Sequence, residues 1–337
     1  MVRVPASSRP PVLVAPDSFK GTFRATEIAA AISRGLERSG WQADLCPVAD
    51  GGEGTLEVLL TALGGETAGA RVHDPLGREI DAGFGLIEEG GTAIVEVAAA
   101  TGLGLVEERE RDAERASSTG TGELIATAAA TGPQVILVAA GGSASTDGGA
   151  GAIAAIQDAG GLGGARLVVL CDVRTPFERA AEVFAPQKGA DRDAVRRLAR
   201  RLRALALELP RDPRGVPMTG AAGGLAGGLW ATFGATLEPG AAFVLDALGF
   251  DARMRAARAV VTGEGRIDLQ TLEGKAVGEV ATRCRQAGVP CHAIVGVRDL
   301  DPFEARILDL VTIDEATTLP ALEAAGARLG ADLEGHG

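Results

Sequence analysis

The sequence predicts an α/β protein, and three observations carry that reading. Short apolar, β-branched segments recur along the chain, segments of helical periodicity separate them, and several apolar segments run straight into a glycine-rich or acidic loop that opens the next helix. Near-continuous apolar strands alternating with helices are what a parallel sheet covered on both faces requires.

Taken in order, a strand over 12–15 precedes a helix over 25–38, and a strand over 45–48 precedes a helix over 53–63. The stretch from His73 to Leu86 reads as turns and short alternating strands, unlike the units before it. Strands follow at 94–97, 135–139 and 167–170, with helices at 122–130, 149–157 and 193–209. In the last of these Val195, Leu198, Leu202, Leu205 and Leu209 recur every three or four residues with arginines on the other faces, the pattern of an amphipathic surface helix. Pro210, Pro213 and Pro217 mark a connection before helices at 222–233 and 240–248. Strands at 259–261, 293–295 and 310–313 and helices at 275–286 and 319–333 complete the chain.

Composition narrows the function. At 337 residues the chain is long enough for two domains or one large α/β unit. A formal charge of −12 opposes non-specific binding to nucleic acid or anionic lipid, both of which need a basic footprint, and suits a cytoplasmic protein. The apolar run at the start is too short for a signal peptide core, and no window approaches membrane-spanning length. Cys46, Cys171, Cys284 and Cys291 lack metal-ligand spacing and are expected to be reduced and buried. His73, His292 and His336 are scattered, which argues against a histidine metal site or a Ser-His-Asp triad.

The loops after the strands point to phosphate, since ligands of open parallel sheets bind at strand carboxyl ends and helix N-termini offer N–H groups to anions. The richest runs from Val135 through Gly141-Gly-Ser-Ala-Ser-Thr-Asp-Gly-Gly. Gly141 and Gly142 allow close backbone approach, Ser143 and Ser145 supply hydroxyls, and Asp147 either caps the helix or faces a cation. It is neither a GxxxxGK[ST] loop nor a GxGxxG fingerprint. Asp50-Gly-Gly-Glu53, Gly120-Thr-Gly-Glu and Gly223-Gly-Leu-Ala-Gly-Gly are similar but plainer, and Thr262-Gly-Glu-Gly-Arg-Ile-Asp sets Glu264, Arg266 and Asp268 just past an apolar strand.

Of 33 basic residues only Lys20, Lys188 and Lys275 are lysine, and each sits beside glycine in a loop near a helix start. A compact ammonium in a tight loop is not easily imitated by a guanidinium, so at least two of these positions are expected to touch phosphate, Lys20 and Lys275 ahead of Lys188. Phosphoryl transfer also needs Mg²⁺ held by one or two carboxylates and a group to take the acceptor's proton, for which Asp17 and Asp172, each just past a strand, are the candidates.

Together and in this order the segments resemble the bacterial glycerate kinase family. The resemblance rests on Ala15-Pro-Asp-Ser-Phe-Lys-Gly, Pro47-Val-Ala-Asp-Gly-Gly-Glu-Gly-Thr, Asp74-Pro-Leu-Gly, Glu96-Val-Ala-Ala-Ala-Thr-Gly-Leu, Gly120-Thr-Gly-Glu, the Gly141 loop, Cys171-Asp-Val, Pro186-Gln-Lys-Gly-Ala, Gly220-Ala-Ala-Gly-Gly and Thr262-Gly-Glu-Gly-Arg-Ile-Asp. It implies ATP- and Mg²⁺-dependent phosphorylation of glycerate, with 2-phosphoglycerate favoured over 3-phosphoglycerate. It further implies two unlike α/β domains, a Rossmann- or flavodoxin-like one from residues 1–70 and 240–337 and an inserted one from 71–239, with the active site in their cleft. A homodimer is compatible with it. The expected catalytic residues are Asp17, Lys20 and Asp172, with Asp17 and Asp172 also the metal candidates. Gly141, Gly142, Ser143, Ser145, Asp147, Lys188 and Lys275 are expected at the nucleotide phosphates, and Asp50, Glu53, Glu264, Arg266 and Asp268 at the acid. The chain departs from the family pattern in having Thr175 where Asn is usual, in lacking an acidic turn between Phe177 and Ala181, and in a missing stretch between Gly161 and Leu167. These departures bear on the choice of acceptor, and another small hydroxy acid or a non-catalytic role are the alternatives.

Overall fold

In the computed structural model, which describes residues 9–171, 173–272 and 275–335, the chain opens with strand β1 (Val12–Pro16), buried along its whole length. A strand interior to a parallel sheet has no solvent face, which is why this segment carries no alternating polar residue. Helix α1 (Ala25–Arg38) follows, with the Glu27 carboxylate accepting the Arg24 backbone N–H at 2.9 Å and Ile28, Ile32 and Leu36 on its buried side. Strand β2 (Ala43–Leu45) pairs in parallel with β1. The sequence places this strand slightly later; residues 46–48 instead run on beside β1, donating N–H bonds from Cys46 to Val14 and from Val48 to Pro16 at 2.8 and 2.9 Å, and deliver Asp50.

The chain divides into two compact units, Met1–Asp50 with Val244–Gly337, and Gly51–Phe243. The second unit holds α2 (Thr55–Leu63), β3 (Glu66–His73), β4 (Glu79–Ile87), β5 (Thr92–Glu96), α3 (Val97–Thr101), α4 (Thr119–Ala130), β6 (Val135–Ala139), α5 (Ala150–Asp158), β7 (Arg166–Cys171), α6 (Ala180–Phe184), α7 (Arg192–Glu208), α8 (Leu225–Phe233) and β8 (Thr236–Pro239). Its six strands lie in the order β3-β4-β5-β6-β7-β8, antiparallel up to β5 and parallel beyond it. The alternating stretch from His73 is therefore a hairpin turn and its second strand, closed by Asp74, whose Oδ1 accepts the N–H groups of Leu76 and Arg78. Residues 51–70 belong to this unit rather than to the first. The reason is packing: Leu56 and Leu60 of α2 lie over Gly85 of β4, and the Glu96 carboxylate ending β5 accepts the N–H groups of Gly54 and Leu56 at 3.0 and 2.8 Å.

Helix α7 is the amphipathic surface helix that its sequence describes. Asp191 caps it, accepting the N–H groups of Asp193 and Ala194; Leu198, Leu202 and Ala206 are buried in one cluster with Phe177 and Ala181, and Arg197 pairs with Glu114.

Helix α9 (Gly240–Ala247) carries the chain across the division, and α10 (Phe250–Ala256), β9 (Ala259–Gly263), β10 (Arg266–Ile267), α11 (Leu269–Leu272), α12 (Ala276–Ala287), β11 (Cys291–Val295), β12 (Val297–Arg298), α13 (Pro302–Ile307), β13 (Ile313–Glu315) and α14 (Leu319–Gly335) complete the first unit. Its sheet is parallel throughout, in the order β13-β11-β9-β1-β2, with β10 and β12 as a separate parallel pair. Helices α1 and α14 cross at glycines: a Cβ on Gly35 would lie 2.0 Å from the Glu323 carbonyl oxygen, and one on Gly326 would lie 2.4 Å from that of Ile32. Among the described residues no helix is long and apolar enough to cross a membrane.

Candidate functional site

In the first unit, β1 and β9 lie side by side in parallel, with Pro16 opposite Gly263. Each hands its next acidic residue, Asp17 and Glu264, to the carboxyl edge of the sheet, where ligands of open parallel sheets bind. Asp50 comes from the extension beyond β2. The loop after β1 closes on itself through Phe19 and Phe23, whose N–H groups each bond the other's carbonyl at 2.9 and 3.1 Å, and presents Lys20. These four residues, with Ser18, Thr22, Arg266, Asp268, Lys275 and Thr317, line a cavity of about 480 Å³.

The cavity's charges are unevenly buried. Asp17, Asp50 and Glu264 are each under a tenth exposed, whereas the Lys20 side chain is 52% exposed and donates to Asp50 Oδ2 at 2.8 Å. Burial, joined by the fields of Asp50 and Glu264, holds the Asp17 carboxyl well above the ordinary carboxylate range, although Lys20 and the Ser18 N–H, 2.6 Å from its Oδ1, pull the other way. Burial likewise pushes Glu264 up to about 7, against the Thr271 hydroxyl that donates to its Oε1 at 2.6 Å and against Lys275. Lys275 Nζ stands 3.9 Å from Asp268 Oδ1, and Arg266 is paired outward with Asp299 at 2.9 Å. Two carboxyls whose proton affinity burial raises, set among cations, can take a proton from an acid that the cations hold.

The donor chemistry also suits Mg²⁺. Among the described residues no group of three His, Cys, Asp or Glu is placed to cage a metal alone. Asp17 and Asp50 nevertheless offer the one or two hard carboxylate ligands that Mg²⁺ takes when phosphate oxygens and water complete its shell.

In the second unit, the loop after β6 folds inward. Asp147 is the N-terminal tie of two helices: its Oδ2 accepts the Ser118 N–H and hydroxyl at 2.9 and 2.8 Å, and its Oδ1 the Gly149 N–H at 3.0 Å. Of the two sequence readings for Asp147, capping is the one its bonds fulfil. Lys188 enters from a 3₁₀ turn at Pro186–Lys188 and is 2% exposed; its Nζ donates to Ser143 Oγ at 2.9 Å and to the Ser145 carbonyl at 2.5 Å. The Ser145 and Thr146 hydroxyls are buried without a hydrogen-bond partner. Orphaned hydroxyls in an otherwise bonded glycine loop fit a segment that bonds a ligand. The loop of residues 51–54 lies against it: a Cβ on Gly141 would come 2.6 Å from Gly52 Cα, and one on Gly142 would come 3.9 Å from Glu53 Oε2.

The sequence-predicted residues are thus brought together in two groups. Asp17, Lys20, Asp50, Glu264, Arg266, Asp268 and Lys275 share the cavity of the first unit. Glu53 does not; it stands with Gly141, Gly142, Ser143, Ser145, Asp147 and Lys188 in the second. Asp172 lies outside the described residues. Sequence reasoning passed over Thr271, Ser118 and Thr317 and gave Glu96 no task. A buried acid needs donors, so the threonine shortly after Glu264 and the serine pair before Gly120 were the available signals; nothing local marks Thr317.

The glycerate kinase family profile matches residues 12–159 and 157–325. The two matches meet beside the point where the sequence is short of the family pattern. The chain is 39% identical over 322 residues to the glycerate kinase of Halalkalibacterium halodurans, covering 85% of each, and 37% identical over 322 residues to the glycerate 2-kinase of Escherichia coli K12, covering 85% of this chain and 84% of the other. A crystal structure from Salmonella typhimurium LT2, provisionally assigned as glycerate kinase 2, superposes with a TM-score of 0.81 at 32% identity, covering 97% of this chain and 99% of that one.

Proposed function

This chain belongs to the glycerate kinase family, and from that premise we propose that it transfers the terminal phosphoryl group of ATP, with Mg²⁺, to a hydroxyl of D-glycerate, giving 2-phosphoglycerate in preference to 3-phosphoglycerate. The observation that carries the proposal is the buried pair Asp17 and Asp50 with Lys20 bonded to Asp50 inside a cavity sized for a small acid. Asp17, whose proton affinity is raised, orients the acceptor hydroxyl and takes its proton. Lys275 and Arg266 supply positive charge for the acid's carboxylate or a phosphate oxygen. Mg²⁺ would be held by Asp50 together with phosphate oxygens and would draw charge from the phosphoryl group. In the second unit the Gly141–Gly149 segment receives nucleotide phosphate through backbone N–H groups and the Ser145 hydroxyl. Asp172 keeps its sequence-based assignment as a further carboxylate for acceptor or metal.

A coupled assay of ADP release with D-glycerate, ATP and Mg²⁺ tests this reading, and absence of turnover by folded protein would overturn it. Phosphorus NMR of the product separates the 2- from the 3-position. A second reading, a different small hydroxy acid as acceptor, is favoured by one observation: where the family has an acidic turn, this chain forms α6 and its preceding 3₁₀ turn around the buried Phe177. An acceptor panel at equal concentration decides between them. The acidic charge and four buried free cysteines support a cytoplasmic location.

A further inference from the structure

Of the three lysines, Lys188 differs in kind. Lys20 and Lys275 reach a cavity, whereas the Lys188 ammonium is enclosed by the loop it bonds. Its backbone is anchored on a rigid corner: Pro186 starts the 3₁₀ turn, the Ala190 N–H donates back to the Ala185 carbonyl at 3.1 Å, and Gly189, at φ +90°, leaves space where a Cβ would lie 2.7 Å from the Arg111 carbonyl oxygen. From that corner the side chain spans to two points of the Gly141–Gly149 segment, Ser143 Oγ and the Ser145 carbonyl. The same Ser145 carbonyl is pressed from another side by residues 220–224, since a Cβ on Gly223 would lie 2.1 Å from its oxygen. The turn at Ser143 to Ser145 is thus fixed between a buried cation and a glycine backbone. Two of the three ammonium N–H groups are spent on acceptors inside the protein, and at 2% exposure Nζ could meet a phosphate only if the loop around it opened, which would leave a buried carbonyl unbonded.

We propose that Lys188 is a positioning residue, which holds the Gly141–Gly149 segment in its phosphate-receiving shape without touching phosphate itself. The inference rests on the reading above that this segment receives nucleotide phosphate. Burial also pushes the Lys188 ammonium down to about 7, against the field of Asp147, so the side chain keeps two N–H donors for its two acceptors in either protonation state. An arginine could not do the same, because its planar fork needs more room than the loop encloses.

With only three lysines in the chain, acylation of the native enzyme followed by peptide mass mapping reads each one separately. Lys188 is expected to react at least about tenfold more slowly than Lys20, and to stay unreactive with and without a non-hydrolysable ATP analogue and Mg²⁺. Rapid labelling of Lys188 in the free enzyme that the nucleotide then blocks would make it a phosphate ligand and overturn the proposal. This measurement needs no variant and so survives a K188M protein that does not fold. A double-mutant cycle supplies the second readout. K188M and S143A are each expected to lower kcat/KM at least about tenfold, and S143A is expected to cost less than about twofold in the K188M background. Fully multiplicative losses would overturn the positioning role alone. Unchanged KM for ATP and unchanged kcat in both single variants would remove the segment from the nucleotide site and take both readings down. Full activity in K188R would likewise contradict a loop too tight for a guanidinium.

Discussion

The two units use charge in opposite ways. In the first, carboxyls are buried and their cations stand at the surface of a cavity: Asp50 is 1% exposed and its partner Lys20 is 52% exposed. In the second, the cation is inside, and the acid whose field it feels, Asp147, spends its oxygens on backbone and hydroxyl donors. Both arrangements grow from the same sequence ingredients, a lysine beside a glycine in a loop near a helix start. Burial is what separates a group that meets a substrate from a group that shapes the loop that meets it.

The contrast breaks first at Asp17. D17N is expected to lower kcat by between about 10²- and 10⁴-fold, measured by steady-state turnover. Because its folded pKa is raised, Asp17 costs stability as pH rises, so D17N should melt at or above the wild-type temperature at pH 8. A D17N enzyme with ordinary turnover would remove the first unit's claim to the chemistry.

The second unit is tested by Gly223→Ala, which drives a Cβ into the Ser145 carbonyl in a left-handed backbone. A loss of about 1–3 kcal/mol in urea unfolding, with a fall in kcat/KM for ATP, is expected. Next comes the linkage at Glu264. Its folded pKa of about 7 lies above its unfolded value, so the proton it holds stabilises the native state at pH 5 and that contribution is lost as pH rises through 7. E264Q should flatten this part of the stability profile, by at most about 3 kcal/mol, in unfolding curves at pH 5 and pH 8. The smallest effect belongs to Gly21→Ala beside Lys20. A Cβ there meets nothing within 4 Å, so only the left-handed backbone at φ +76° matters, at about 1 kcal/mol. A large loss of turnover in that variant would mean the Lys20 loop is more tightly constrained than the Ser145 turn.

Much of this was legible in the sequence because the sheets are buried. Strand 135–139 and helix 25–38 are where the apolar runs and periodicity put them. Strand β2 slipped because an apolar residue can be buried just outside a ladder, as Cys46 and Val48 are, and β13 because the apolar Val311 ahead of it is exposed. The short elements β10, β12 and α11 have too few residues to show a period at all. Membership of the first unit's cavity was legible for residues directly after a strand, such as Asp17 and Glu264. The sequence grouped Glu53 with Asp50, because a single peptide bond, from Asp50 to Gly51, joins the two units and no composition change marks that step. The enclosure that sets Lys188 apart from Lys20 was not legible, since it is a property of what arrives from elsewhere in the chain.

That dependence has a consequence for biosynthesis. Strand β1 is flanked by β2 and by β9, and Val12 pairs with Ala259. The second unit is continuous from Gly51 to Phe243, so every strand of its sheet has been translated before the first residue of β9 leaves the ribosome. Until then an apolar N-terminal strand waits with one edge open, a non-local pairing of the sort that slows folding and invites association. The nascent chain therefore has reason to engage a chaperone early, at the very segment that will carry Asp17.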